Sequence, residues 1–512
     1  MEIPTVEKLK EEGNISKLNE NILEGDSEIR EKSLKALSEL LDKGIYDASS
    51  LNPLEEVLRD ESKEIREKAA ELIYKLAQND VYHESSLKPL ISLLDESEPQ
   101  IRGVVAKALR GLAERGVYDK KSIEKLNINL KDEDGSVRWN TMRTLEVLAE
   151  NGVCKSSTLE ELYPILTGSD ERTKNIALHT IQNMANEGIT DEKSVEKVGD
   201  LLSGSSSEVK RNAAKTIETL VKNNVDVSPA IGKLNRLLRE IDEKNSEAAA
   251  SALKSAFENG YYKRRTIKIL SKMLLDYDRK RQIQMAKHLL DFADRGFVDE
   301  AALDPLNQLL DSDDEEINKV VIKIMTSMAM NGVKEYEILE ILNKELAAEN
   351  DMTKKISAKS IKKLASTGIH SYGSIEPLLD LLDEDQDEVR EKAMEALEFI
   401  AIENGYDESF LQKVLPALED SNKFVKISAV STVKHLSEQG ASVEGSVNYI
   451  NELLQSDDEN LIERTLLTLS VLVEQGIYDE NTIRFLRELS DSPRYSIQTK
   501  AQNLIEIIEK GS

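Results

Sequence analysis

Cysteine is nearly missing from this chain: Cys154 stands alone in 512 residues. A single thiol excludes a disulfide framework and a thiolate metal cage, and predicts a reducing, cytoplasmic setting. Aromatic residues make up only 4% of the chain, with one tryptophan, Trp139, and there are just 23 Gly and 10 Pro. Strands draw on aromatic and β-branched side chains, so this scarcity argues against sheets. Long apolar runs are absent too, and none approaches the roughly eighteen residues of a membrane span. The opening MEIPTVEKLKEEGN lacks a cationic stretch followed by an apolar one, so no secretory leader is expected.

What the chain has is charge, at 32% of residues, alongside 39% hydrophobic residues. The apolar share is enough for a core and excludes a disordered acidic chain. The net charge of −28 repels phosphate backbones and anionic lipids over most of the surface. Nucleic acid and membrane are therefore disfavoured as general partners.

Periodicity decides the fold. The phrase KGIYD at 43–47 returns as RGVYD at 115–119, RGFVD at 295–299 and QGIYD at 475–479. Gly44, Gly116, Gly152 and further glycines up to Gly476 lie on one grid of 36 residues. Asp80, Asn224 and Asn404 fill the remaining interior grid points, and these are the other residues that tolerate a left-handed backbone. Residues 1–8 form a lead, and 9–512 form one array of fourteen units ending at 44, 80, 116 and every 36 residues to 512.

Inside each unit the apolar positions recur at helical spacing. Counting the grid residue as position 36, positions 7, 10 and 14 mark the buried face of a first helix, as at Leu51, Leu54 and Leu58. Positions 21, 25, 29 and 32 mark a second, as at Ile65, Ala69, Ile73 and Leu76, which the grid residue then terminates. The polar stretch between them, DESKE at 60–64, suits a turn that caps the second helix. Pro53, Pro89, Pro305 and Pro377 share position 9, in the first turn of the first helix, where a missing N–H costs little. Asn245 and Arg281 stand at a normally apolar position in units 7 and 8, which predicts a bend near 225–296. Ser490, Gln502 and Glu509 replace apolar residues in the last unit, as expected of a capping unit.

Unit 2 reads LNPLEEVLRDESKEIREKAAELIYKLA and unit 11 reads IEPLLDLLDEDQDEVREKAMEALEFIA. Pro-Leu in the first helix, an acidic turn, then Val/Ile-Arg and an Ala-rich second helix resemble the HEAT and armadillo repeat superfamily. An Arg or Lys follows the apolar residue in nine units, at Arg30, Arg66, Arg102, Arg138, Lys174, Lys210, Lys354, Arg390 and Lys426. The resemblance covers essentially the whole chain. It implies an all-α, right-handed α-solenoid of two-helix HEAT-like repeats, a scaffold for macromolecules with its second helices on the concave surface.

No catalytic constellation emerges. His83, His179, His288, His370 and His435 show no paired metal-ligand spacing, Gly-rich phosphate loops are absent, and Cys154 has no base beside it. The chain reads as no enzyme, with no cofactor and no metal.

Binding is then sought in the columns that the core leaves over. Position 27 carries Lys35, Lys107, Arg143, His179, Lys215, Lys287, Lys323 and Lys359, a basic stripe in an acidic chain. Like charges stand four apart at Arg211/Lys215, Lys319/Lys323 and Lys355/Lys359, against the usual helix pairing rule. Acids on neighbouring units could absorb them. Unit 8 is a second basic feature, with ten basic against four acidic residues.

The most distinctive group lies in units 4–6: Trp139, Asn140, Arg143, Asn175, Ile176, His179, Asn183, Arg211, Asn212 and Lys215. Armadillo grooves use Trp and Asn ladders to hold an extended peptide, Asn amides on its backbone and indoles against its side chains. Here there is one Trp, and Arg143 stands where the import motif places Asn. The expectation is a monomeric, non-enzymatic adaptor that binds a protein or peptide through Trp139, Asn140, Arg143, Asn175, His179, Asn183, Arg211, Asn212 and Lys215. The alternatives are a nucleic-acid-associated protein using the basic stripe, or a structural spacer.

Overall fold

Helices end where the 36-residue grid falls, and the reason is backbone geometry. In the computed structural model, which describes residues 5–261, 264–276, 278–310, 314–403 and 408–511, every described interior grid residue has a positive φ. At Gly44 (φ 77) the Gly44 N–H donates to the Leu41 carbonyl and the Ile45 N–H to that of Leu40, both at 2.9 Å. Those two bonds satisfy carbonyls that a helix end would otherwise leave unpaired. Asp80 (φ 59) and Asn224 (φ 62) make the same turn without glycine. Asn404 lies outside the described residues.

Helix starts are equally legible. Asp26, Ser62, Asp134, Ser206, Asp242 and Asp314 each precede a second helix and accept a hydrogen bond from a backbone N–H in its first turn. These are the polar turn residues between the two apolar sets, acting as N-caps. Pro53 and Pro89 sit at the third residue of their first helices, Leu51–Val57 and Leu87–Ser92.

The described residues form helices and turns, with no strand among them. The chain divides into two compact units, Met1–Tyr262 and Lys263–Ser512. The first opens with Val6–Glu11 and then alternates shorter and longer helices, from the pair Ile15–Glu24 and Ser27–Asp42 to Ile231–Leu237 and Glu243–Glu258. The second unit does the same from Arg264–Met273 and Arg279–Asp294 to Glu480–Ser490 and Tyr495–Gly511. In each, a longer helix packs on the shorter helix before it and on the next longer helix, which is solenoid packing.

The core sits on the predicted faces. Leu54, Ile65, Ala69, Ile73 and Leu76 are fully buried. Each large aliphatic side chain contributes roughly 1.5–3 kcal/mol by leaving water. In the last helix pair Gln502 and Glu509 are exposed, as their polarity requires.

The basic residue after the first apolar position of the second helix has a structural role. Arg66 donates to Glu96 at 3.2 Å, Arg102 to Asp132, Lys210 to Glu240, Lys354 to Glu384 and Arg390 to Asp420, each of these four at 2.7 Å, and Arg30 bridges to Asp60. Every pair spans thirty residues, from one repeat to the turn of the next. The same Arg side chains reach back to their own turns: Arg102 donates to the Glu96 and Ser97 carbonyls at 2.6 and 2.8 Å. One side chain thus ties two successive turns together. Three members lack the acid. Thirty residues beyond Arg138, Lys174 and Lys426 stand Gly168, Gly204 and Ser456.

Candidate functional site

The ladder fails first beside the lone tryptophan. Trp139 lies in Gly135–Glu150, whose start is fixed by Asp134 accepting from the N–H groups of Ser136 and Val137. Val137 and Thr141 are fully buried, which turns the side of the helix carrying Trp139 away from the core. Trp139 is 37% exposed. Its neighbour Arg138 is exposed and donates to the Asp132 and Glu133 carbonyls at 2.6 and 2.8 Å, but it has no carboxylate partner because Gly168 carries none. Sequence reasoning assigned Arg138 to the repeat framework. The signal that distinguishes it is the glycine thirty residues on.

The other expected residues divide into satisfied and unsatisfied. Arg143 and His179 converge on one carboxylate, Glu146, a 5% exposed residue: Arg143 pairs with Glu146 Oε2, and His179 Nδ1 stands 3.4 Å from Oε1. These two members of the basic stripe are therefore counterbalanced from within. Arg211 is 3.7 Å from Asp242 in the next turn. Asn175 and Asn212 meet side chain to side chain, the Asn212 Nδ2 donating to Asn175 Oδ1 at 2.9 Å. Asn140 turns back on its own helix, donating to the Ser136 carbonyl at 3.0 Å. Asn183 is half-buried, and Lys215 is exposed with no ion pair. Ile176, expected off the core, is buried at 7%, because its turn of the helix is covered by the neighbouring helices.

The stripe behaves differently in the second compact unit. There the longer helices Arg279–Asp294, Glu315–Met330, Asp351–Ala365 and Asp387–Glu403 line a cleft of about 710 Å³. Six lysines and three carboxylates face it. Lys355 pairs with Glu388, and Lys392 with Glu391 at 2.6 Å and Glu395 at 2.9 Å. Lys319, Lys323, Lys359 and Lys363 are exposed and make no ion pair among the described residues.

Burial pushes the Cys154 thiol up to about 12, so it carries a proton at neutral pH. No group of three or more His, Cys, Asp or Glu side chains that could hold a metal occurs among the described residues. No helix there is long and apolar enough to cross a membrane.

No family model and no curated protein matches this chain. Solved structures do. The chain is similar to an engineered protein solved by a structural-genomics consortium, at 18% identity over 91% of this chain and 99% of that one, with a TM-score of 0.30. It is also similar to a chain of the Kap95p complex with RanGDP, at 13% identity over 97% of this chain and 72% of that one, with a TM-score of 0.44.

Proposed function

We propose that the chain is a right-handed superhelix of fourteen HEAT-like repeats over 9–512, and that it works as a non-enzymatic scaffold holding an extended segment of another protein on its longer helices. The reading takes the chain as a monomer that needs no cofactor. The observation that carries it is the break in the inter-repeat ladder at Arg138. Glycine at 168 leaves Arg138 exposed and without an acid thirty residues on, one residue before the exposed Trp139 on the same helix. A flat aromatic next to a planar cation grips side chains and carboxylates of a partner at low entropic cost. Around it, Asn140, Asn175, Asn183 and Asn212 supply amides for a peptide backbone, and Arg143, His179, Arg211 and Lys215 set the charge of the groove.

Because Trp139 is the only tryptophan, its emission reports on this site alone. Partners captured from a lysate of the source cells on the wild-type chain are to be compared with those captured on Trp139→Ala combined with Arg138→Gln. The expected result is a defined set of proteins lost by the variant, whose purified members shift the Trp139 emission of the wild type. Identical capture by both forms, with the variant still helical by circular dichroism, overturns the placement.

A further inference from the structure

Four lysines line this cleft in the second compact unit with no ion pair among the described residues, because its three carboxylates are engaged elsewhere: Asp294 accepts from Ser327, Glu388 pairs with Lys355 and Glu391 with Lys392. Lys319 and Lys323 stand four apart on Glu315–Met330, and Lys359 and Lys363 four apart on Asp351–Ala365. Like charges at that spacing lie about 6 Å apart along the helix and cost a few tenths of a kcal/mol per pair. The two helices pack side by side, at about 10 Å. Glu315 and Glu316 stand four and three residues before Lys319, but Glu315 accepts from Asn350 and Glu316 pairs with Lys287 at 3.1 Å, and no further Asp or Glu occurs from 317 to 330 or from 352 to 368. Carboxylates on Asp387–Glu403 are given to other lysines: Glu388 to Lys355, and Glu395 to Lys362 at 3.0 Å and to Lys392. In a chain of net charge −28, a cluster kept cationic against its own repulsion and left without an ion pair among the described residues points to an anion from outside.

We propose that this cleft binds a short acidic segment of a partner protein, with carboxylates on the four lysines and an apolar side chain between them. The apolar part of the lining supplies the second half of that specification: Leu290, Met352 and Ile356 face the same cleft. A peptide confines its charge to the cleft. A nucleic-acid strand carries phosphate beyond it, and toward unit 11, with eleven acidic and two basic residues, that phosphate is repelled; unit 8 on the other side is basic, which makes a nucleic-acid probe the necessary control. The site is separate from the Trp139 face and rests on none of the reasoning for it.

The test uses three fluorescently labelled probes on the full chain: a twelve-residue peptide of Asp, Glu and Leu, the same peptide with Asn and Gln for the acids, and a twelve-residue oligothymidylate. The acidic peptide should bind, weaken with added salt, and lose at least tenfold in affinity in Lys319→Gln/Lys323→Gln and in Lys359→Gln/Lys363→Gln. The amide peptide should not bind. Lys35→Gln/Lys107→Gln, in the same column of the first compact unit, should leave binding unchanged. Glutamine keeps the helix and removes the repulsion, so both cleft variants should melt at or above the wild-type temperature. Failure of the acidic peptide to bind, binding unaffected by the cleft variants, or tighter binding of the oligothymidylate each overturns the proposal.

Discussion

Arg102 Nε lies 2.7 Å from Oδ2 of Asp132, thirty residues and one repeat further on, and both side chains are largely buried. The same guanidinium donates to the Glu96 and Ser97 carbonyls of its own turn. Removing it strands a buried carboxylate and two carbonyls at once. Arg102→Ala should therefore cost about 2–4 kcal/mol, most of it from the unpaired Asp132. Arg138→Ala, which removes only the carbonyl bonds, should cost roughly half as much. Urea midpoints of the two variants, with a double-mutant cycle on Arg102 and Asp132, measure the difference. Equal losses would show that the carboxylate adds nothing.

Acid should act on the same ladder. The hydrogen bond from Arg102 holds the Asp132 carboxyl below the ordinary carboxylate range, and its burial works against that without reversing it. Arg279 does the same for Asp314. A carboxyl depressed in the folded state stabilises the fold above its unfolded value of about 3.9, and that contribution is lost as pH falls through the folded value. The melting temperature should be flat from neutral pH to about pH 5 and fall below it. Asp132→Asn should lower the neutral plateau and flatten the acid limb. A variant with an unchanged acid limb would remove Asp132 from the account.

Three glycines should answer differently to alanine. At Gly44 the backbone is left-handed (φ 77) and the space is open, so Gly44→Ala meets only backbone strain of about 1–2 kcal/mol. At Gly103 a methyl would find Val137 Cγ2 at 3.7 Å, an ordinary contact in a helix interior, so Gly103→Ala should stabilise by about 0.5–1 kcal/mol. At Gly111 the methyl would lie 2.9 Å from Tyr74 Cδ2, and that ring also carries Lys107 Nζ 4.4 Å from its centre. Gly111→Ala should destabilise by about 1–3 kcal/mol despite its better helix propensity. Thermal melts of the three variants give the signs directly.

The thiol of Cys154 should be sluggish. With burial pushing it up to about 12, almost none of it is thiolate at pH 8. Alkylation by iodoacetamide should run more than about a hundredfold slower than with a free thiol, and should reach the free-thiol rate in denaturant. A fast native reaction, followed by mass spectrometry, would contradict the raised thiol of this half-buried residue.

The repeat was legible because its causes are local. A residue that accepts positive φ at 44, 80 and 224, a capping Asp, Ser or Asn at the start of most longer helices, and apolar residues at helical spacing all act within one unit. Each leaves its mark in the residue type at one position. The off-core columns were legible as columns, and Trp139 was correctly read as turned away from Val137 and Thr141. What failed to show was which of those side chains already had a partner. Arg143 and His179 looked open to a ligand until Glu146, itself buried, was found between them. Ile176 looked like a surface position and is covered.

The sequence by itself determined the helices, their ends and the faces that pair, because backbone conformation and burial follow from residue type and spacing along one chain segment. Only the tertiary structure decided the ion pairs between repeats. They join residues about thirty apart, such as Arg102 with Asp132, Arg390 with Asp420 and His179 with Glu146, and those meet only once one repeat has stacked on the next. The same stacking left Arg138, Lys319, Lys323, Lys359 and Lys363 without an ion pair among the described residues. Pairing across that junction is a property of neighbouring repeats, and no single repeat encodes it.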